Sequence, residues 1–88
     1  MLIVGYTALM LASQRGHTEI VQMLLDYGAL TDIVSEEGHS ALMLAAMNNH
    51  PRVVKILLER GCRKDLKDVN SRMAIDYANN PEIQNMLA

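Results

Sequence analysis

The sequence predicts an all-α fold of stacked helix–turn–helix units, two complete and one shortened at the C-terminal end. Three observations predict it. The chain repeats itself at an offset of 33 residues, apolar side chains recur within each copy at helical spacing, and glycine or asparagine stands where each helix has to stop. At that offset Gly5 falls on Gly38, Leu9 on Leu42, Ala12 on Ala45 and His17 on His50. Val21 falls on Val54, Leu24 and Leu25 on Leu57 and Leu58, Gly28 on Gly61, and Asp32 on Asp65. The stretch TALML at Thr7–Leu11 returns as SALML at Ser40–Leu44. A third copy opens near Ser71 and keeps the frame at Ala74, Ile75 and Ala78. It then drops three residues, so that Asn80-Pro81-Glu82-Ile83 resumes the line of His50-Pro51-Arg52-Val53, and Met86-Leu87 answers Ile56-Leu57. The expected organisation is one domain with units at residues 1–34, 35–67 and 68–88, the last a shortened cap.

Within each complete unit the elements follow in order. Thr7 and Ser40 suit the start of a first helix, because a hydroxyl accepts an otherwise free N–H of the first turn. Leu9, Leu11 and Ala12, and then Leu42, Leu44 and Ala45, give that helix a short apolar stripe. Gly16 and Asn49 end it, since both tolerate the left-handed conformation of a helix C-terminus. The second helix is TEIVQMLLDY in one unit and PRVVKILLER in the next, with Ile20, Val21, Leu24 and Leu25 at helical spacing. Pro51 fits the first turn, where no N–H is required. Gly28 and Gly61 stop the second helix. About ten mostly polar residues then lead onward, too few for another helix, and Glu36-Glu37-Gly38 fits a turn there. In the third unit Met73 holds the cap position without an oxygen, so Asn70 or Ser71 is expected to cap instead. A helix pair of this size cannot bury its apolar face alone; it does so against a copy of itself, which means stacking.

Composition narrows the function classes. A chain of 88 residues is a single domain, and half of its residues are apolar. With no Phe and no Trp, the core is built from Leu, Ile, Val, Ala and Met and is thin. A net charge of −2 argues against nucleic acid and a membrane surface, and the basic stretch lacks interleaved aromatics. One cysteine, Cys62, excludes an internal disulfide and favours a reducing compartment, cytoplasmic or nuclear. The apolar run Met1–Val4 stops at Gly5 and is too short for a signal peptide or a span. No cysteine–histidine spacing fits zinc, and no Gly-rich phosphate loop appears. His17 and His50 occupy equivalent positions, which a single active site does not require; they are read as structural. Cys62 replaces Ala29 of the preceding unit and is read as a small apolar filler, although Arg63 and Lys64 beside it would favour a thiolate. Asp65 and Asp68 lie among Lys64 and Lys67 and are expected in a solvated turn. Charge is also asymmetric: Asp26, Asp32, Glu36 and Glu37 form an acidic run, and seven basic residues lie between Arg52 and Arg72.

The residues Thr7-Ala8-Leu9-Met10-Leu11-Ala12, then Gly16-His17-Thr18-Glu19-Ile20-Val21, then Leu24-Leu25-Asp26-Tyr27-Gly28-Ala29 resemble the ankyrin repeat family over nearly the whole chain. The resemblance implies an ankyrin-type helix-turn-helix solenoid with β-turn or hairpin connections. It also implies an interaction module with no catalytic, cofactor or metal site. The family keeps Pro after the Thr and His two residues further on. Here those positions hold Ala8, Ala41 and Ala74, and Met10, Met43 and Asp76. That His bonds back to the Thr hydroxyl; Met only fills space, so softer units are expected.

The resemblance further implies that another protein is gripped by a concave surface of turns and first helices. Carried over by position, the turn residues are Val4, Tyr6, Val34, Glu36, Glu37, His39, Lys67, Val69, Asn70 and Arg72. The helix residues are Gln14, Arg15, Met47, Asn48 and Asn80. Tyr6 and Met47 are the expected anchors, being of types enriched in interface cores. Asn79, Asn80, Gln84 and Asn85 make the last unit a polar C-terminal cap. Leu2-Ile3-Val4 leaves the first unit uncapped, which implies either missing upstream repeats or self-association there. Two other readings stay open: a regulatory ankyrin segment of a larger enzyme or channel protein, and an enzyme using Cys62 or a histidine.

Overall fold

The computed structural model describes residues 7–88. Six helices follow one another: α1 (Ala8–Arg15), α2 (Thr18–Asp26), α3 (Ala41–Met47), α4 (Pro51–Glu59), α5 (Ala74–Tyr77) and α6 (Pro81–Leu87). Consecutive helices pack as the pairs α1–α2, α3–α4 and α5–α6. The pairs stack in two layers, α1–α3–α5 and α2–α4–α6. Among the described residues there is no strand, and turns connect the pairs. This is the all-α stack expected from the repeat.

Local chemistry sets the helix ends. Thr7 Oγ1 accepts the Met10 N–H at 3.1 Å, and Ser40 Oγ accepts the Met43 N–H at 3.2 Å. Gly16 (φ 72°) and Asn49 (φ 63°) turn left-handed at the ends of the first helices. The third unit departs from expectation. Neither Asn70 nor Ser71 caps α5: no side-chain oxygen accepts an N–H of its first turn, and the Asp76 N–H goes to Met73 O. Instead Asp76 reaches back from the first turn, and its Oδ2 accepts the Met73 N–H at 2.8 Å. That bond is the reciprocal half of a capping box, made from the position that holds Met10 and Met43 in the other units; it satisfies the Met73 N–H but does not replace the missing cap oxygen.

Comparing the three units sorts each position by the side it faces. Met10 and Met43 are buried, while Asp76, at the same place in the last unit, is exposed. Val21 and Val54 are buried, while their counterpart Gln84 is exposed. These positions face the following unit, and at the chain's last unit they are polar. Ala8 and Ile20 are exposed, while Ala41, Val53, Ala74 and Ile83 are buried. Those positions face the preceding unit. The middle helix α3 is covered on both sides; its sequence is ALMLAAM, and Ala41–Ala46 are all buried. Burial all round is what an entirely apolar helix requires.

Among the described residues two buried side-chain atoms, Ser13 Oγ in the core and His39 Nδ1 in a turn, have no hydrogen-bond partner. The Ser13 hydroxyl is fully buried without a hydrogen bond, and the next unit has buried Ala46 in its place. An unpaired buried hydroxyl costs about 1–3 kcal/mol. Ser13→Ala is therefore expected to stabilise the chain by about 1 kcal/mol, read as a higher urea midpoint at unchanged slope. A lower midpoint would show that the hydroxyl is satisfied in solution.

Candidate functional site

Two equivalent turns, 33 residues apart, carry most of the candidate site. In the first, the Gly38 N–H meets Ser35 O at 2.8 Å and the Ser35 N–H meets His39 O at 2.9 Å. In the second, the Ser71 N–H meets Asp68 O at 2.9 Å and the Asp68 N–H meets Arg72 O at 2.9 Å. Each turn is also tied from inside by the side chain of its first residue. Ser35 Oγ accepts the His39 N–H at 3.2 Å, and Asp68 Oδ1 accepts the N–H groups of Asn70 at 2.9 Å and Arg72 at 3.0 Å. Both tying residues are buried. A single main-chain bond, Val69 N–H to Glu37 O at 3.0 Å, joins turn to turn. Gly38 makes that approach workable: its φ is +81°, and a Cβ there would lie 2.8 Å from Asp68 Cα.

Asp68 is the hub of this junction. Its side chain is wholly buried, so the expected solvated turn is corrected here; only Asp65 is exposed, and it pairs with Arg63 at 3.0 Å. Besides the two N–H groups, Asp68 accepts the Tyr77 hydroxyl on Oδ2, with His39 Nε2 3.4 Å from the same oxygen. The His39 ring meets Tyr77 edge-on at 5.8 Å, and the Arg72 guanidinium lies 5.9 Å from the Tyr77 ring centre. The Tyr77 hydrogen bond, helped by the two N–H groups and His39, holds the Asp68 carboxyl below the ordinary carboxylate range against the opposing effect of desolvation. A depressed folded-state value means stabilisation that is complete above the ordinary value of about 3.9 and lost as pH falls through the folded value. Asp68→Asn is accordingly expected to lower thermal stability at pH 7, with the gap to the parent closing below about pH 4. Melting curves over that range check it; a gap independent of pH would mean the carboxylate charge is immaterial.

The remaining predicted site residues divide by placement. Arg15, Val34, Glu36, Glu37, Asn48, Lys67, Val69, Asn70 and Arg72 are exposed. Gln14, His39, Met47 and Asn80 are half-buried. The junction brings Glu37, Val69 and Asn70 together. His39 turns its ring inward onto Asp68, Met47 packs partly against the core, and Asn80 Oδ1 caps α6 by accepting the Glu82 N–H at 2.7 Å. Asn48 Nδ2 donates to Leu44 O at 2.8 Å. Val4 and Tyr6, with the run Leu2-Ile3-Val4, lie outside the described residues.

Part of the charge asymmetry lies within the stack. Arg60 pairs with Asp26 at 2.6 Å, and Asp32 Oδ1 accepts the Arg63 N–H at 3.0 Å. Sequence reasoning missed both joints, because their partners are 34 and 31 residues apart. The histidines also differ. His50 Nε2 lies 2.9 Å from Gln14 O in the preceding unit, whereas the exposed His17 forms no side-chain cap bond to its helix.

Cys62 is buried in the core cluster. Burial, and secondarily the charge of Asp32, push its thiol up to about 12, opposite to the activation by Arg63 and Lys64 weighed from the sequence. In native buffer at pH 8 a thiol reagent is expected to leave Cys62 unmodified, with full reaction only in denaturant. Rapid native labelling would restore the reactive-thiol reading.

Among the described residues no group of three or more His, Cys, Asp or Glu side chains could hold a metal ion. Among them, too, no helix is long and apolar enough to cross a membrane. The family model described as ankyrin repeats (3 copies) matches residues 2–68. A search of curated proteins finds no match to this chain.

Proposed function

Because the chain belongs to the ankyrin repeat family, whose members are generally protein–protein interaction modules and typically non-catalytic, we propose that it holds a partner protein against the face formed by its turns and first helices. The observation that carries this reading is the turn junction. Its main chain is bonded internally, turn to turn, while Glu36, Glu37, Val69 and Asn70 stay exposed. A surface held in place before binding loses little entropy on association. On the same face Met47 offers an apolar side chain and Arg15 a charge. Two acidic side chains on one turn and basic Lys67 and Arg72 near the next would orient a charged partner. The lone thiol fits an intracellular setting, cytoplasmic or nuclear.

A photocrosslinking residue at Val69 tests the face, with one at Gln22 on α2 as the control. The Val69 probe is expected to give a discrete adduct from cell extract that unlabelled chain competes away, and the Gln22 probe none. Competable adducts at Gln22 with none at Val69 would overturn the assignment.

A further inference from the structure

The imidazole of His39 lies between two carboxylates, one on its own turn and one on the next. Nε2 is 3.4 Å from Asp68 Oδ2, and Nδ1 is 3.8 Å from Glu37 Oε1. The Asp68 side chain is wholly buried and that of Glu37 is 66% exposed, with the His39 side chain between them at 17%. The two ring nitrogens are therefore unequally served. Facing a buried carboxylate, Nε2 carries the hydrogen of the neutral ring. Nδ1 is then a bare lone pair, sealed from water, without a partner and turned toward an anion. The other groups around the ring do not relieve it. The Tyr77 hydroxyl of α5 donates to Asp68 Oδ2, and the Arg72 guanidinium lies against the Tyr77 ring.

We infer that His39 is a proton-operated clasp across the turn junction. A second proton makes Nδ1 a donor and gives the ring a charge. The exposed Glu37 side chain is free to close onto that donor, and Asp68 holds the other end. The row Glu37–His39–Asp68 then spans both turns beside the Val69–Glu37 main-chain bond. Burial opposes a charged ring, and Arg72, on the Tyr77 ring, adds a like charge. Two carboxylates this close outweigh both, chiefly through Asp68, which no water screens; Glu37, in contact with solvent, contributes less. Histidine is the side chain that changes charge between about pH 5 and 8, so the clasp closes over that interval. Without the proton, Glu36 and Glu37 both stand free on the turn; with it, Glu36 alone does. The bearing on a partner rests on the function proposed above: a cation that pairs with Glu37 competes with the His39 proton, and capture weakens as pH falls. The clasp itself is a property of the chain alone, so either reading can fail without the other.

Nuclear magnetic resonance of the full chain tests it without a partner. As pH is lowered from about 8 to 5, the His39 ring signals, the Glu37 side-chain carboxyl carbon and the Val69 amide are expected to share one inflection. Over the same interval the Val69 amide, corrected for its intrinsic exchange rate, should gain protection by about threefold or more. His39→Gln keeps a donor for Asp68 but takes up no proton. Its Glu37 and Val69 signals should lack the inflection, and its Val69 protection should stay constant. Three outcomes overturn the proposal: a His39 ring that titrates while Glu37 and Val69 do not follow, a ring that keeps one charge state throughout, and a gain in protection that persists in His39→Gln. Should the variant not fold, the shared inflection in the parent chain decides.

Discussion

Leu57→Ala is expected to remove about 3 kcal/mol of stability, more than half of what a domain at the lower end of the usual range possesses. Leu57 is fully buried on α4, the middle helix of its layer. Truncation loses the transfer free energy of the side chain and leaves a cavity that helices packed on both sides cannot close. Whole domains are stable by only about 5–15 kcal/mol, and a small core without Phe or Trp belongs at the lower end. Leu30→Ala is the control: its side chain is 70% exposed, and the change should stay within about 0.5 kcal/mol. Urea unfolding of the two variants decides the matter. A loss below about 1 kcal/mol at Leu57 would mean that the layers repack around the gap.

Gly38→Ala is expected to cost about 2–4 kcal/mol and to weaken partner capture. Two causes add. A left-handed backbone at φ +81° disfavours any side chain, and the new Cβ would meet main-chain atoms of the neighbouring turn, Asp68 Cα at 2.8 Å and Val69 N at 3.1 Å. Backbone cannot swing aside as a side-chain tip does, so the turns must separate and the Val69–Glu37 bond breaks. Gly28→Ala separates the two causes. Gly28 has φ +89° with open space around it, so only the conformational part of about 1 kcal/mol remains. Equal costs at the two positions would show that the turn contact is not tight.

The features that read correctly from the sequence are those with a local or periodic cause. Thr7 and Ser40 cap because of what lies three residues ahead, and Asn49 ends a helix by its own backbone tolerance. Asp68 had no such signal. Beside Asp65 and Lys67 it resembles solvated charge, and its burial comes from His39 and Tyr77, which only the folded stack brings to it. The available hint was the register: 33 positions earlier stands Ser35, another short oxygen-bearing side chain closing the same turn. The Asp26–Arg60 joint was hidden for the same reason, being a contact between units and not within one. The candidate site divided likewise. Repeat position identified which residues lie on turns and first helices, but only packing showed that His39 and Asn80 are engaged internally.

The apolar helix α3 has a consequence in time. On the ribosome its seven residues ALMLAAM emerge before the helices that cover their far side, and Tyr77 at the end of α5 follows Met47 by 30 residues. At synthesis rates of about 5–20 residues per second, α3 is left half-sheltered for roughly 2–6 seconds. Nascent chains stalled when Met47 has just cleared the exit tunnel should therefore hold chaperones, and those stalled when Leu87 has cleared it should release them.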